Sequence, residues 1–148
     1  MPPAEGSFDP SVFESQQFDQ PNDTVYVAIP EGEYVAMIKS KKFRNEKGYI
    51  ILDITWLVDN EQVKEVTGMK EPTVRQSLFL DVTSSGGLDF AKGKNVKLGR
   101  LREATKLNTP GQAFSFGMLE GRPAKISIKH RVDGRDTFAD VKEVAPLS

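Results

Sequence analysis

Cysteine is absent from this chain of 148 residues, and histidine and tryptophan each occur once. Without cysteine there is no disulfide framework, no thiolate zinc site and no thiol nucleophile, which suits a reducing cytosol. The single histidine, His130, excludes a histidine-built metal site by count. A nucleophilic triad would have to be centred on that one ring, yet it alternates with Ala124, Ile126 and Ile128 on the predicted inner face of a strand, the setting of a structural histidine. The scattered acids lack calcium-loop spacing. No apolar run approaches the ~20 residues a membrane span needs, and the N-terminus has neither the basic start nor the apolar stretch of a signal peptide. The expectation is a soluble, unexported protein with no membrane partner and no cofactor.

Bases, too, are missing where acids are dense. Residues 1–33 carry seven acids and no Lys or Arg, so the net charge of -1 divides into a -7 segment and a +6 remainder. The bases cluster further at Lys39 to Lys47, Lys92 to Lys106 and Arg122 to Arg135. A basic body with an acidic arm suits a protein that handles a polyanion and keeps a partner or competitor for the same surface, and it also suits a soluble assembly protein. The length fits one domain: residues 1–28 read as an acidic extended arm, and residues 29–148 are enough for one modest core. The arm is rich in Pro, Ser, Gln and acids and too poor in apolar residues for a core of its own. Phe8, Phe13 and Phe18 recur in it at a spacing of five. That spacing matches neither the helical nor the strand period, so they read as partner-binding anchors on an extended chain or as parts of a solvated tail.

From Glu33 the chain alternates as strands do. Tyr34 to Phe43 is the first, and the Asn45 to Gly48 cluster turns it into a second, Tyr49 to Val58, with Ile50, Leu52, Ile54, Trp56 and Val58 on one face. Trp56 therefore reads as a packing residue. After a polar connection with room for a helical turn comes a third strand, Thr73 to Val82, with Val74, Leu78, Leu80 and Val82 inward and Arg75, Ser77 and Phe79 outward. A helix is predicted from Val96 to Leu107, ended by a left-handed Asn108. The fourth strand, Arg122 to Val132, points Lys125, Ser127, Lys129 and Arg131 outward, and Asp133-Gly134 turns it into a fifth, Asp136 to Val144. This order predicts a mainly β fold, a five-stranded oligonucleotide-binding-like barrel with one helix between strands three and four. A sandwich, or an open sheet covered by one helix, satisfies the same order.

The stretch Gly87 to Asn95 fails as a phosphate loop, having five residues between its glycines and Asn95 where Ser or Thr must hold magnesium. A carboxylate pair for hydrolysis stays open in the sequence, but Asp53 and Asp81 each sit on the outward register of a strand and read equally as solvated acids, so the chain reads as a non-enzyme. Binding a single nucleic-acid strand asks only for bases along a backbone and aromatic faces for stacking. The barrel would gather Lys41, Lys42, Phe43, Arg44 and Lys47 at the first hairpin, with Tyr49 beside it. It would add Arg75 and Phe79 on strand three, and Lys129, Arg131 and Arg135 around the last hairpin. The other reading is a solvated strand face with Phe43 and Tyr49 packed under a loop.

Pro30-Glu31-Gly32-Glu33-Tyr34, the Gly48 hairpin, Leu98-Gly99-Arg100-Leu101-Arg102-Glu103-Ala104 and Leu119-Glu120-Gly121-Arg122 ahead of a basic strand resemble a family of small bacteriophage proteins catalogued as a domain of unknown function. The likeness spans roughly residues 30–144. It implies a replication or recombination accessory protein that binds single-stranded DNA in the host cytoplasm, and it carries no catalytic residue. The chain departs from the usual plan of phage single-strand binders in placing its acids at the N-terminus and not in a C-terminal tail. That departure keeps a second class open, a structural virion protein that cements or decorates a capsid through its arm. The expected partners are single-stranded DNA and phage replication proteins or a capsid protein, with a homo-oligomer among the allowed assemblies.

Overall fold

A computed structural model describes residues 8–148; what was read into residues 1–7 of the arm lies outside the described residues. Five strands form one antiparallel sheet: β1 (Gly32–Glu46), β2 (Tyr49–Leu57), β3 (Thr73–Leu80), β4 (Pro123–Asp133) and β5 (Asp136–Ala145). Their order is β3-β2-β1-β4-β5. Among the described residues three α-helices accompany them, α1 (Pro10–Ser15), α2 (Glu61–Thr67) and α3 (Val96–Ala104), with a 3₁₀ turn at Phe116–Leu119. None is long and apolar enough to cross a membrane.

β1 is long enough to serve two partners. Its first half pairs with β4, from Gly32 opposite Ile128 to Met37 opposite Pro123. Its second half pairs with β2, from Met37 opposite Leu57 to Glu46 opposite Tyr49. Between Ile38 and Ser40 the register slips by one, leaving Lys39 as the extra residue of a bulge. Because strand side chains alternate, that one residue exchanges the two faces. Ala36 and Ile38 point into the core ahead of it, whereas Lys41 and Phe43 share the inner side after it and Lys42 and Arg44 point outward. Lys47 and Gly48 close the first hairpin with φ of 52° and 84°. Two positive values are the signature of the turn whose twist matches a right-twisted strand pair.

The inner faces of β1–β4 meet under α3. Ile38, Leu52, Ile54, Trp56, Val74, Leu78, Ala124, Ile126 and Ile128 pack with Leu98, Leu101 and Ala104. Burying each large aliphatic side chain stabilises the fold by ~1.5–3 kcal/mol. The helix presents Leu98, Leu101 and Thr105 on one face, as the 3.6 period requires. Ile29 is buried with this core although it precedes β1. His130 fixes that entry: its ring Nε2–H donates to the Ile29 carbonyl at 2.8 Å, and its backbone N–H donates to Glu31 at 2.8 Å. That backbone donor holds the Glu31 carboxyl below its usual value.

The structure corrects four expectations. The sheet is mainly β and five-stranded but not a closed barrel, since no ladder joins its edges β3 and β5 among the described residues. The two edges nonetheless come within 8 Å, Cα to Cα. The arm is not extended throughout. Asp9 caps α1 through the Ser11 N–H, and Pro10 fits the first helical position because it has no donor to lose. The Phe8 and Phe13 rings lie 5.4 Å apart and Phe13 and Phe18 6.4 Å apart, so Phe13 sits between the other two exposed rings. The helix α3 ends at Ala104, and Lys106 with φ 64°, not Asn108, takes the left-handed conformation. The Thr105 hydroxyl donates to the Leu101 carbonyl at 2.8 Å, satisfying an end acceptor early. β3 stops at Leu80, and Val82 is exposed beside an isolated bridge to Leu88.

Candidate nucleic-acid interface

Pairing across β1, β2 and β3 sets the outer face in rows. Ser40, Thr55 and Arg75 form one, then Lys42, Asp53 and Ser77, then Arg44, Ile51 and Phe79, with Glu46 and Tyr49 at the hairpin end. Tyr49 and Phe79 are diagonal neighbours, stacked at 28° between planes with centroids 5.7 Å apart. They are 58% and 63% exposed, so the pair offers ring faces to solvent. Ile51 is only 2% exposed although it stands on this outer side and outside the main core. Its neighbours in the register, Arg44 and Phe79, are positioned to cover it.

Asp53 is the electrostatic centre of the face. It accepts from the Ser77 hydroxyl at 2.5 Å and from Arg44 Nε at 2.7 Å. Arg44 is also tied to Glu46. Burial pushes the Asp53 carboxyl up, but the Ser77 and Arg44 hydrogen bonds and the charges of Arg44 and Arg75 together hold it below its ordinary value. A lowered folded value means stability that is complete above the unfolded value near 4 and is lost as pH falls through the lowered one. Asp53→Asn should therefore cost ~1.5–3 kcal/mol near neutral pH, the worth of hydrogen bonds to a charged group. In urea titrations at falling pH the difference from wild type should shrink below about pH 4. A difference that grows with acidity would contradict this account.

The predicted residues divide into three groups. Lys42, Arg44, Tyr49, Arg75 and Phe79 share the outer face, and Lys47 sits in the adjacent turn. Lys41 and Phe43 fall on the opposite side, because the Lys39 bulge reversed the alternation. Lys41 is paired with Glu120 at 3.1 Å. The Phe43 ring meets Phe116 edge-on at 5.0 Å, Phe116 meets Phe114 at 5.3 Å, and Arg102 lies 4.2 Å over Phe114. Phe43 thus pins the segment after α3 and offers no free face alongside Tyr49. Lys129, Arg131 and Arg135 form the third group on the β4–β5 hairpin. Arg131 bridges Asp140 at 3.0 Å and lies 4.9 Å over the Phe138 ring.

One member of the first group, Arg75, and one of the third, Arg131, line a groove of about 930 Å³ between β3 and β5; the other predicted residues lie outside it. Arg75 and Ser77 line it from β3, Arg131 and Phe138 from the β4–β5 hairpin, and Lys97 and Arg100 from α3. Sequence reasoning missed Phe138, Lys97 and Arg100. Phe138 was within reach, since counting outward from the Asp133-Gly134 turn sets it opposite Arg131. The two α3 bases join the groove through the packing of that helix against β3 and β5, which no local pattern encodes. Among the described residues, Lys42, Lys47, Arg75, Lys129 and Arg135 make no ion pair, whereas Lys41, Arg44 and Arg131 do.

No protein-family model matches the chain, and a search of curated proteins finds no match.

Proposed function

We propose that this protein is a non-enzymatic binder of single-stranded DNA, acting in phage DNA replication or recombination. The observation that carries the reading is the exposed Tyr49–Phe79 stack on a polar sheet face, with Lys42 and Arg75, which make no ion pair among the described residues, along the same face. Every nucleobase has a π face, so such rings accept bases without regard to sequence, while Lys and Arg follow the phosphates. Orientation also fits. In an oligonucleotide-binding barrel, a partly open five-stranded Greek key, ligand crosses strands two and three between the loops joining strands one to two and four to five. A sheet ordered β3-β2-β1-β4-β5 with its edges drawn near each other supports that arrangement. The phage setting is carried by the short motifs read from the sequence over residues 30–144 alone, with no matching family model beside them.

A fluorescence-anisotropy titration with oligo-dT tests the proposal. Binding should be tightest at low salt, and the log–log salt slope should fall by ~0.7 for each phosphate contact removed, as in Lys42→Ala. Undetectable binding at micromolar protein in low salt would sink it. The exposed ring cluster of Phe8, Phe13 and Phe18 favours a second reading, a virion protein that docks its arm on a capsid. Mass spectrometry of purified particles decides between them: many copies support the virion role, and absence removes it.

A further inference from the structure

The bases of the β3–β5 groove outnumber what the sheet face alone needs. Lys97 and Arg100 stand about one helical turn apart on α3, beside the buried Leu98 and Leu101 and not behind them, and both are exposed and line the groove. Lys142 lines the β5 wall. Neither α3 base nor Lys142 makes an ion pair among the described residues, and the acids of the groove are three, Glu103, Asp140 and Glu143. One of these, Asp140, already holds Arg131. On both walls an edge strand leaves backbone N–H groups without a partner strand among the described residues, because β3 and β5 each pair on one side only. The groove is continuous with the ring platform: Phe79, Ser77 and Arg75 succeed one another on one face of β3, and the latter two line the groove.

We infer that this groove is a second nucleic-acid subsite, in which Lys97, Arg100 and Lys142 take the phosphates of the same strand whose bases stack on Tyr49 and Phe79. The inference rests on the single-strand reading above. Charge selects the occupant. An added peptide strand would use the edge amides and could rest side chains on Leu78 and Val141, but the five bases of the lining against its three acids favour a chain that carries regular negative charge. A phosphodiester backbone uses both the amides and the cations. The consequence is a footprint longer than the platform, toward the upper part of the ~4–16 nucleotides such domains cover.

Anisotropy titrations with dT oligomers of about 4, 8, 12 and 16 nucleotides test this, over the footprint range such domains show. The double variant Lys97→Gln/Arg100→Gln keeps good helix formers at exposed positions and should unfold like wild type. The shortest oligomer should bind both proteins equally. With the longest, the variant should bind more weakly and its salt slope should be smaller by ~1.4, two contacts' worth. Lys142→Gln, on a different element, should lose ~0.7 in the same length-dependent way and stands in should the helix variant misfold. Equal losses at all lengths, or unchanged slopes with long oligomers, would overturn the subsite. So would slowed hydrogen exchange of the β3 and β5 edge amides with a peptide of residues 8–24 but not with the 16-mer, since a peptide strand would then own the groove. No binding of any oligomer by wild type is a different outcome, the failure of the single-strand reading itself.

Discussion

Replacing Trp56 with Ala lowers the free energy of unfolding by ~3–5 kcal/mol, the largest loss expected from a single change in this domain. The ring is fully buried among the inner faces of the sheet, and its Nε1–H donates to Gln76 Oε1 at 3.0 Å. Truncation empties a large volume in a core that cannot collapse around it, because the neighbours are held by strand pairing on both sides. It also leaves the inward-facing Gln76 amide without its donor, a further cost of ~1–3 kcal/mol where no water replaces it. Domains of this size hold only ~5–15 kcal/mol in total, so the variant stands near the edge of folding. Since the chain has no other tryptophan, urea unfolding should be followed by circular dichroism, with a lower midpoint and an unchanged slope. Trp56→Phe should recover most of the loss, because the ring volume is largely kept. A loss under about 1 kcal/mol would mean that Trp56 is not the packing centre its burial implies.

How far the sequence carried the structure depended on whether the signal was local. The β2 alternation of Ile50, Leu52, Ile54 and Trp56 is unbroken, and its two faces were legible without any tertiary information. The run Lys39 to Lys42 is polar throughout and contains no Gly or Pro, so nothing in it marks the bulge at Lys39. The sequence pattern therefore places Lys41 and Phe43 with Lys42 and Arg44, although one extra residue sends the two pairs to opposite sides. The start of α1 had a signal that the five-residue spacing of the rings concealed, the capping Asp9 followed by Pro10. Ion pairing was invisible for another reason. Which of Lys41, Lys42 and Arg44 is already neutralised depends on Glu120 and Asp53, placed beside them by register and loop packing. The gap between β3 and β5 lies furthest from the sequence, because strand order constrains it while closure depends on the summed twist of five strands.

Alanine at Tyr49 or Phe79 should weaken oligo-dT binding by ~1–3 kcal/mol, roughly 5- to 150-fold, while leaving the salt slope unchanged. The two rings are one platform at 5.7 Å, so the double variant should lose less than the sum of the single losses once the first removal has already broken the stacking surface. A cross-strand aromatic pair also steadies its sheet, by ~0.2–1 kcal/mol, and that contribution has to be separated from the one to binding. Phe43 provides the separation. Its ring is 44% exposed but turned to Phe116 on the other side of β1, so Phe43→Ala should lower stability and leave oligonucleotide affinity within twofold, about 0.4 kcal/mol. Lys42→Ala supplies the opposite pattern, a smaller salt slope with little effect on unfolding, since that base makes no ion pair among the described residues. If Tyr49→Ala and Phe79→Ala lose stability as Phe43→Ala does and bind oligo-dT as wild type does, the pair is sheet packing and the outer face is not the DNA surface. If affinity falls at constant slope while the unfolding midpoint stays nearly fixed, the rings carry the bases.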